Sequence, residues 1–152
     1  MKEAIKLQGL VTFDVFNEIG RHIRTIDGTN LVTTLGKNYL VRRIISDASA
    51  AGSAIDTLAV GDDGSTAASE SNTELNNQVA EVEIDTIFDT DNIAGFTTII
   101  PIGVATGTIA EAGLYTNDTT PILVSHIVLS TPFTKASNES IQVNWQLKLG
   151  NT

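Results

Sequence analysis

Residues 141–149 read Ile141, Gln142, Val143, Asn144, Trp145, Gln146, Leu147, Lys148 and Leu149. Every odd position is apolar and every even one polar. Successive side chains of a strand point to opposite faces, so the stretch predicts a strand with one buried and one wetted face. Trp145 falls on the buried face and is given a structural role. The same alternation recurs at Val11, Phe13 and Val15 against Thr12 and Asp14. It recurs again where Ala80, Val82, Ile84, Thr86 and Phe88 interleave with Glu81, Glu83, Asp85, Ile87 and Asp89, which predicts one strand with an acidic outer face. Ile, Val and Thr make up 48 of the 152 residues, a β-branched excess that suits pleated sheets.

Outward from these segments lie short, continuously apolar runs at 55–60, 96–102, 108–115 and 122–129, each bounded by glycine or proline. Such runs predict strands covered on both faces. Asp27-Gly28 is a tight-turn signal, predicting a hairpin between residues 21–26 and the segment around Leu31. One helix is expected over residues 34–46, where Leu40/Ile44 and Val41/Ile45 are i,i+4 pairs, Thr33 or Thr34 supplies the N-cap, and Ser49 to Ser53 ends the element. Arg42 and Arg43 near its C-terminus suit the helix dipole. Residues 62–77 are polar and small, predicting a long exposed loop. About eight strands with one inserted helix define an all-β, jelly-roll-like sandwich. Residues 1–10 are read as an N-terminal arm and residues 11–152 as a single β-sandwich domain.

The charge is unevenly distributed. Nine Lys and Arg stand against eighteen Asp and Glu, a net charge of -9. Residues 44–134 contain no Lys or Arg but thirteen acids, whereas residues 1–43 carry seven bases and four acids. Nucleic acid is excluded as a partner, because duplex binding draws on Lys and Arg at phosphates. No apolar run is long enough to suggest a membrane span or a signal peptide, so synthesis in a cytoplasm is expected. With no cysteine, thiolate zinc sites, disulfides and cysteine nucleophiles are excluded.

No catalytic constellation emerges. His22 and His126 are far apart and lie outside any nucleophile or metal motif. A histidine in an apolar strand, as His126 is, reads as a hydrogen-bonded core residue. Glu81, Glu83 and Asp85 would share a strand face, but one Trp, two Tyr and five Phe offer a sugar few stacking platforms. Asp62-Asp63-Gly64-Ser65 and Asp89-Thr90-Asp91-Asn92 read as turns and lack the EF-hand pattern. No cofactor, no metal and no catalytic residue is therefore assigned. Gly61, Gly107 and Gly113 read as positions that end or kink strands where positive φ or close backbone approach is required. Glu111 sits in an apolar strand and needs a partner, either backbone N–H groups or an arginine, and Arg42 or Arg43 is the expected anchor.

The succession of motifs carries a resemblance. Asn30-Leu31-Val32-Thr33, Gly36-Lys37 with the apolar helix, and Leu58-Ala59-Val60-Gly61 come first. Thr73-Glu74-Leu75, the stretch from Gly107 to Tyr115, Pro132-Phe133-Thr134-Lys135 and the Trp145 strand follow. Over residues 7–149 this order resembles small virion structural proteins of tailed bacteriophages, assigned to capsid decoration (cement) or to tail fibres and tail appendages. The resemblance implies a jelly-roll fold and a non-enzymatic role, and it makes the cytoplasm that of a bacterial host. The expected function is a capsid decoration protein that binds the major capsid protein and copies of itself, as a dimer or trimer. The alternative is a tail, baseplate or fibre component contacting tail proteins or a host receptor. In the N-terminal arm, Lys2 and Lys6 would meet acids on a neighbour, and Ile5 and Leu7 would fill apolar sites.

Overall fold

The computed structural model describes residues 6–45 and 54–150. The chain forms β1 (Leu7–Phe16), β2 (His22–Gly28), β3 (Leu31–Val32), α1 (Thr34–Ile44), β4 (Ile55–Gly61) and β5 (Gln78–Glu83). It continues through β6 (Thr86–Thr90), β7 (Ile93–Ile100), β8 (Gly107–Thr116), β9 (Leu123–Lys135) and β10 (Ser140–Leu149). Two five-stranded antiparallel sheets result, ordered β2-β1-β10-β7-β6 and β3-β9-β8-β4-β5. We call them the first and second sheet. The architecture is the expected all-β sandwich with one inserted helix, and the described residues form ten strands rather than about eight.

The alternating segments form the centre of the first sheet. Val11, Trp145 and Phe96 lie side by side across β1, β10 and β7, and Phe13, Val143 and Thr98 form the next row. All six are at least 95% buried, and they pack between the sheets with Leu58, Ile109 and Leu114 of the second. The opposite face of β10 carries Gln142, Asn144, Gln146 and Lys148, as the period-2 pattern requires.

Three expectations are corrected. The Asp27-Gly28 segment makes no hairpin, because β2 pairs with β1 whereas β3 pairs with β9 in the other sheet. The acidic strand over residues 80–89 is two strands, broken where the chain changes sheets. Ile84 N–H donates to Asp56 O of the second sheet (2.7 Å), and Asp85 N–H to Thr97 O of the first (3.0 Å). Glu81 and Glu83 are thus separated from Asp85, whose carboxylate accepts from Ile99 N–H (2.7 Å). Finally, β1 starts at Leu7 and pairs with β10 from Leu7↔Leu149 onward, so residues 7–10 belong to the sheet and not to an arm. Lys2 and Ile5 lie outside the described residues.

The helix begins where expected. Thr33 Oγ1 accepts from Gly36 N–H (2.9 Å) and donates to Leu123 O (2.6 Å), capping α1 and tying it to β9. Gly36 permits the contact, since a Cβ there would lie 2.2 Å from Val124 O. The helix buries Gly36 and Tyr39 and half-buries Leu40. The rest of its apolar stripe faces water.

Candidate docking surface

On its outer face the second sheet is floored by small residues: Ala59 beside Gly113, and Gly61 beside Glu111. A Cβ at Gly113 would lie 2.6 Å from Leu123 Cδ1 and 3.0 Å from Leu75 Cδ2, and one at Gly61 would lie 2.4 Å from Glu111 Oε1. The polar segment 62–77 lies on this floor. Leu75 is buried against Ala59, Leu123 and Tyr115, and its N–H donates to Tyr115 Oη (3.1 Å). Burial pushes the Tyr115 phenol above its ordinary pKa.

Glu111, wholly buried, is the anchor of this segment. Its carboxylate accepts from Asn76 N–H (2.9 Å) and Asn77 N–H (2.7 Å) and faces His126 Nε2 (2.9 Å). His126 Nδ1 faces Asn72 Oδ1 (2.9 Å), the atom that also accepts from Ser69 N–H (2.7 Å). Glu111 therefore has the basic partner the sequence demands, but it is His126 with two backbone amides. Arg42 and Arg43 stand exposed at the end of α1. Both side chains of the Glu111–His126 pair are fully buried, and the pair holds segment 62–77 on the sheet.

An exposed apolar surface lies at the helix end of the sandwich. There α1 covers the core incompletely. One depression of 590 Å³ is lined by Lys6, Leu7, Lys37, Leu40, Val41, Ile44 and Leu149. A second of 280 Å³ shares Leu7, Leu40 and Leu149 with it and reaches Phe96 and Leu147 of the core, with Asp89 and Asp91 at its rim. Val41, Ile44 and Ile45 are 58%, 76% and 67% exposed. Lys37 Nζ donates to Glu70 Oε1 (2.8 Å), joining this end to the segment 62–77. Of the residues expected to bind a partner, Lys6 and Leu7 line this surface. Sequence reasoning missed the exposed helix stripe, although the excess of apolar residues over the space above β9 was its signal.

A second apolar area lies on the outer face of the first sheet, where Leu10, Gln146, Gly95 and Phe88 form a row across β1, β10, β7 and β6. Phe88 lies over Gly95, where a Cβ would come within 2.1 Å of its ring, and Leu10 and Phe88 remain 46% and 42% exposed. Among the described residues no cluster of three or more His, Cys, Asp or Glu could hold a metal ion. No described helix is long and apolar enough to cross a membrane. The fold and its surfaces define the class, a two-sheet antiparallel β-sandwich with exposed apolar faces. Comparison with known proteins finds no matching family model, no matching curated protein and no matching solved structure.

Proposed function

We propose that this chain is a non-enzymatic structural protein of a tailed-bacteriophage virion, a decoration protein that cements the capsid shell. The observation that carries a protein-binding role is the pair of exposed apolar surfaces, one at the helix end and one around Leu10 and Phe88. Contiguous apolar surface left in water, as at the helix end, is characteristic of a face that meets another protein. Leu10 and Phe88, with Gln146 and Gly95 between them, add two exposed apolar side chains on the first sheet. The phage assignment draws its support from the succession of motifs over residues 7–149. A decoration protein needs contacts both to the shell and among its own copies, and repeated weak contacts then gain strength by multivalency.

Gel densitometry of purified virions tests the assignment. Hundreds of copies per particle are expected of a decoration protein, whereas a few to dozens would place it in the tail and absence would overturn the virion role. Leu10→Asp is expected to lower occupancy of particles stripped of the protein and then re-supplied with it. Unchanged occupancy would remove the first-sheet face from the shell contact.

A further inference from the structure

Each sheet has two edge strands, β2 and β6 in the first and β3 and β5 in the second. A free edge offers unpaired N–H and C=O groups to any extended chain, and folded proteins blunt it by shortness, bulges or charge. Strand β3 is two residues long. The β2 and β5 ladders each carry a register shift, and these strands bear Arg24 and Asp27, and Glu81 and Glu83, respectively. Of these devices β6 has only Asp89, and its ladder with β7 runs without a shift from Thr86↔Thr97 to Thr90↔Ile93. All five of its residues are exposed, Ile87 by 57% and Phe88 by 42%.

The two-residue turn at Asp91 and Asn92 makes Thr90 and Ile93 a directly bonded pair. Alternation then commits Phe88 and Thr90 to β7 and turns the N–H and C=O of Ile87 and Asp89 outward. Among the described residues no backbone group bonds to those outward groups. The side chains beside them are apolar in the middle and acidic at the ends. Glu83 and Asp85 precede Ile87 and Phe88, Asp89 and Asp91 follow, and all four acids are exposed. Among the described residues no Lys, Arg or His forms an ion pair with any of the four. A second copy laid on this edge would set acid against acid on neighbouring strands, which is destabilising. Lys or Arg at the ends of an extended segment would instead meet opposite charge.

We propose that β6 is the receptor edge for an extended segment of a partner protein, apolar in its middle and basic at its ends, which adds a strand to the first sheet. The proposal rests on reading the chain as a protein-binding one, and it names the edge and the chemistry of the partner.

The acetylated and amidated heptapeptide Lys-Val-Thr-Val-Thr-Val-Lys is the probe, added to the full chain. Hydrogen exchange followed by NMR should slow at least ~10-fold at the Ile87 and Asp89 amides when the peptide binds, and stay unchanged along β2. The peptide dissociation constant, read by titration calorimetry, should rise at least ~10-fold in Ile87→Pro, which removes an outward N–H but no bond to β7. It should rise less in Ile87→Ala, which trims the side chain alone. Asp89→Lys, or Glu in place of both peptide lysines, should raise it about 3-fold. Should Ile87→Pro lose its β circular dichroism, the exchange at Ile87 and Asp89 and the effect of Asp89→Lys decide by themselves. The proposal is overturned by unchanged exchange at Ile87 and Asp89 in excess peptide, by protection at another edge instead, or by a folded Ile87→Pro that binds like wild type. Protection of the same two amides on concentrating the chain alone also overturns it, since a second copy is then the occupant. A chain abundant in virions but unprotected by the peptide loses the receptor edge and keeps its virion role. One protected by the peptide but absent from virions does the reverse.

Discussion

At the scale of single residues, Glu111 decides more than its neighbours do. A carboxylate with no solvent contact has to be met by donors on every side, and here two amides and an imidazole supply them. Truncation would strand all three donors. Glu111→Ala is therefore expected to cost about 3–5 kcal/mol, lowering the thermal midpoint by roughly 10 °C for a chain of this size. Glu111→Gln keeps an acceptor for the loop amides and should cost less. Equal loss in the two variants, measured by thermal melts, would show that the carboxylate charge is what matters. That Glu111 requires a partner was legible from its place in an apolar run. Which partner was not legible, because His126 comes from the neighbouring strand and Asn76 and Asn77 from a loop whose path no periodicity encodes.

At the scale of elements, the two sheets are also stapled through side chains at the end away from α1. Arg24 of β2 in the first sheet reaches Glu139 through Nη1 (3.0 Å) and Nη2 (3.3 Å), and its Nη2 donates to Thr134 O of β9 (2.6 Å). The Ala136 N–H (2.7 Å) and then Arg24 hold the Glu139 carboxyl below its ordinary pKa. Beside them, burial pushes the Lys135 ammonium below its ordinary value, with Glu139 partly opposing the shift. A carboxylate depressed in the folded state contributes stability above its unfolded pKa and loses it as pH falls through the folded value. Wild type and Glu139→Gln should thus differ most in urea stability near neutral pH and converge as the pH falls below the ordinary glutamate range and through the lowered folded value, where the carboxylate takes up its proton. A gap independent of pH would show that the staple does not act through charge. None of this was legible in the sequence, since Arg24 and Glu139 lie 115 residues apart. The strands themselves were legible, because period-2 alternation is a local consequence of the pleat. The continuous strand predicted over residues 80–89 failed because a chain can change sheets without breaking its alternation.

At the scale of the whole molecule, Lys6, Gly150 and the helix share one end of the sandwich. Lys6 O accepts from Gly150 N–H (2.9 Å), and Leu7 opens the ladder with β10. Deleting residues 1–8 therefore cuts into the first sheet as well as removing any arm. It is expected to cost about 2 kcal/mol through loss of Leu7 burial, visible as a lowered thermal midpoint. Loss of particle binding in that deletion would then report on the fold, and the exposed Leu10→Asp is the cleaner probe. A deletion whose melt matched the full chain would show that the Leu7–Leu149 end of the ladder adds nothing to stability.

The sequence by itself determined the all-β class, the single helix starting from a cap at Thr33 or Thr34, the buried face of β10 and the need for a partner at Glu111. Each follows from local rules: the two-residue repeat of a strand, the orphan N–H groups of a helix start, and the cost of burying a charge. Only the tertiary structure decided that segment 62–77 covers the second sheet. It also decided that residues 80–89 bend between sheets and that the apolar stripe of α1 is left open to water. Those outcomes depend on which surfaces the chain brings together over distances of tens of residues. A pattern of neighbours along the chain says how each element can be wetted or buried, but not what will lie against it.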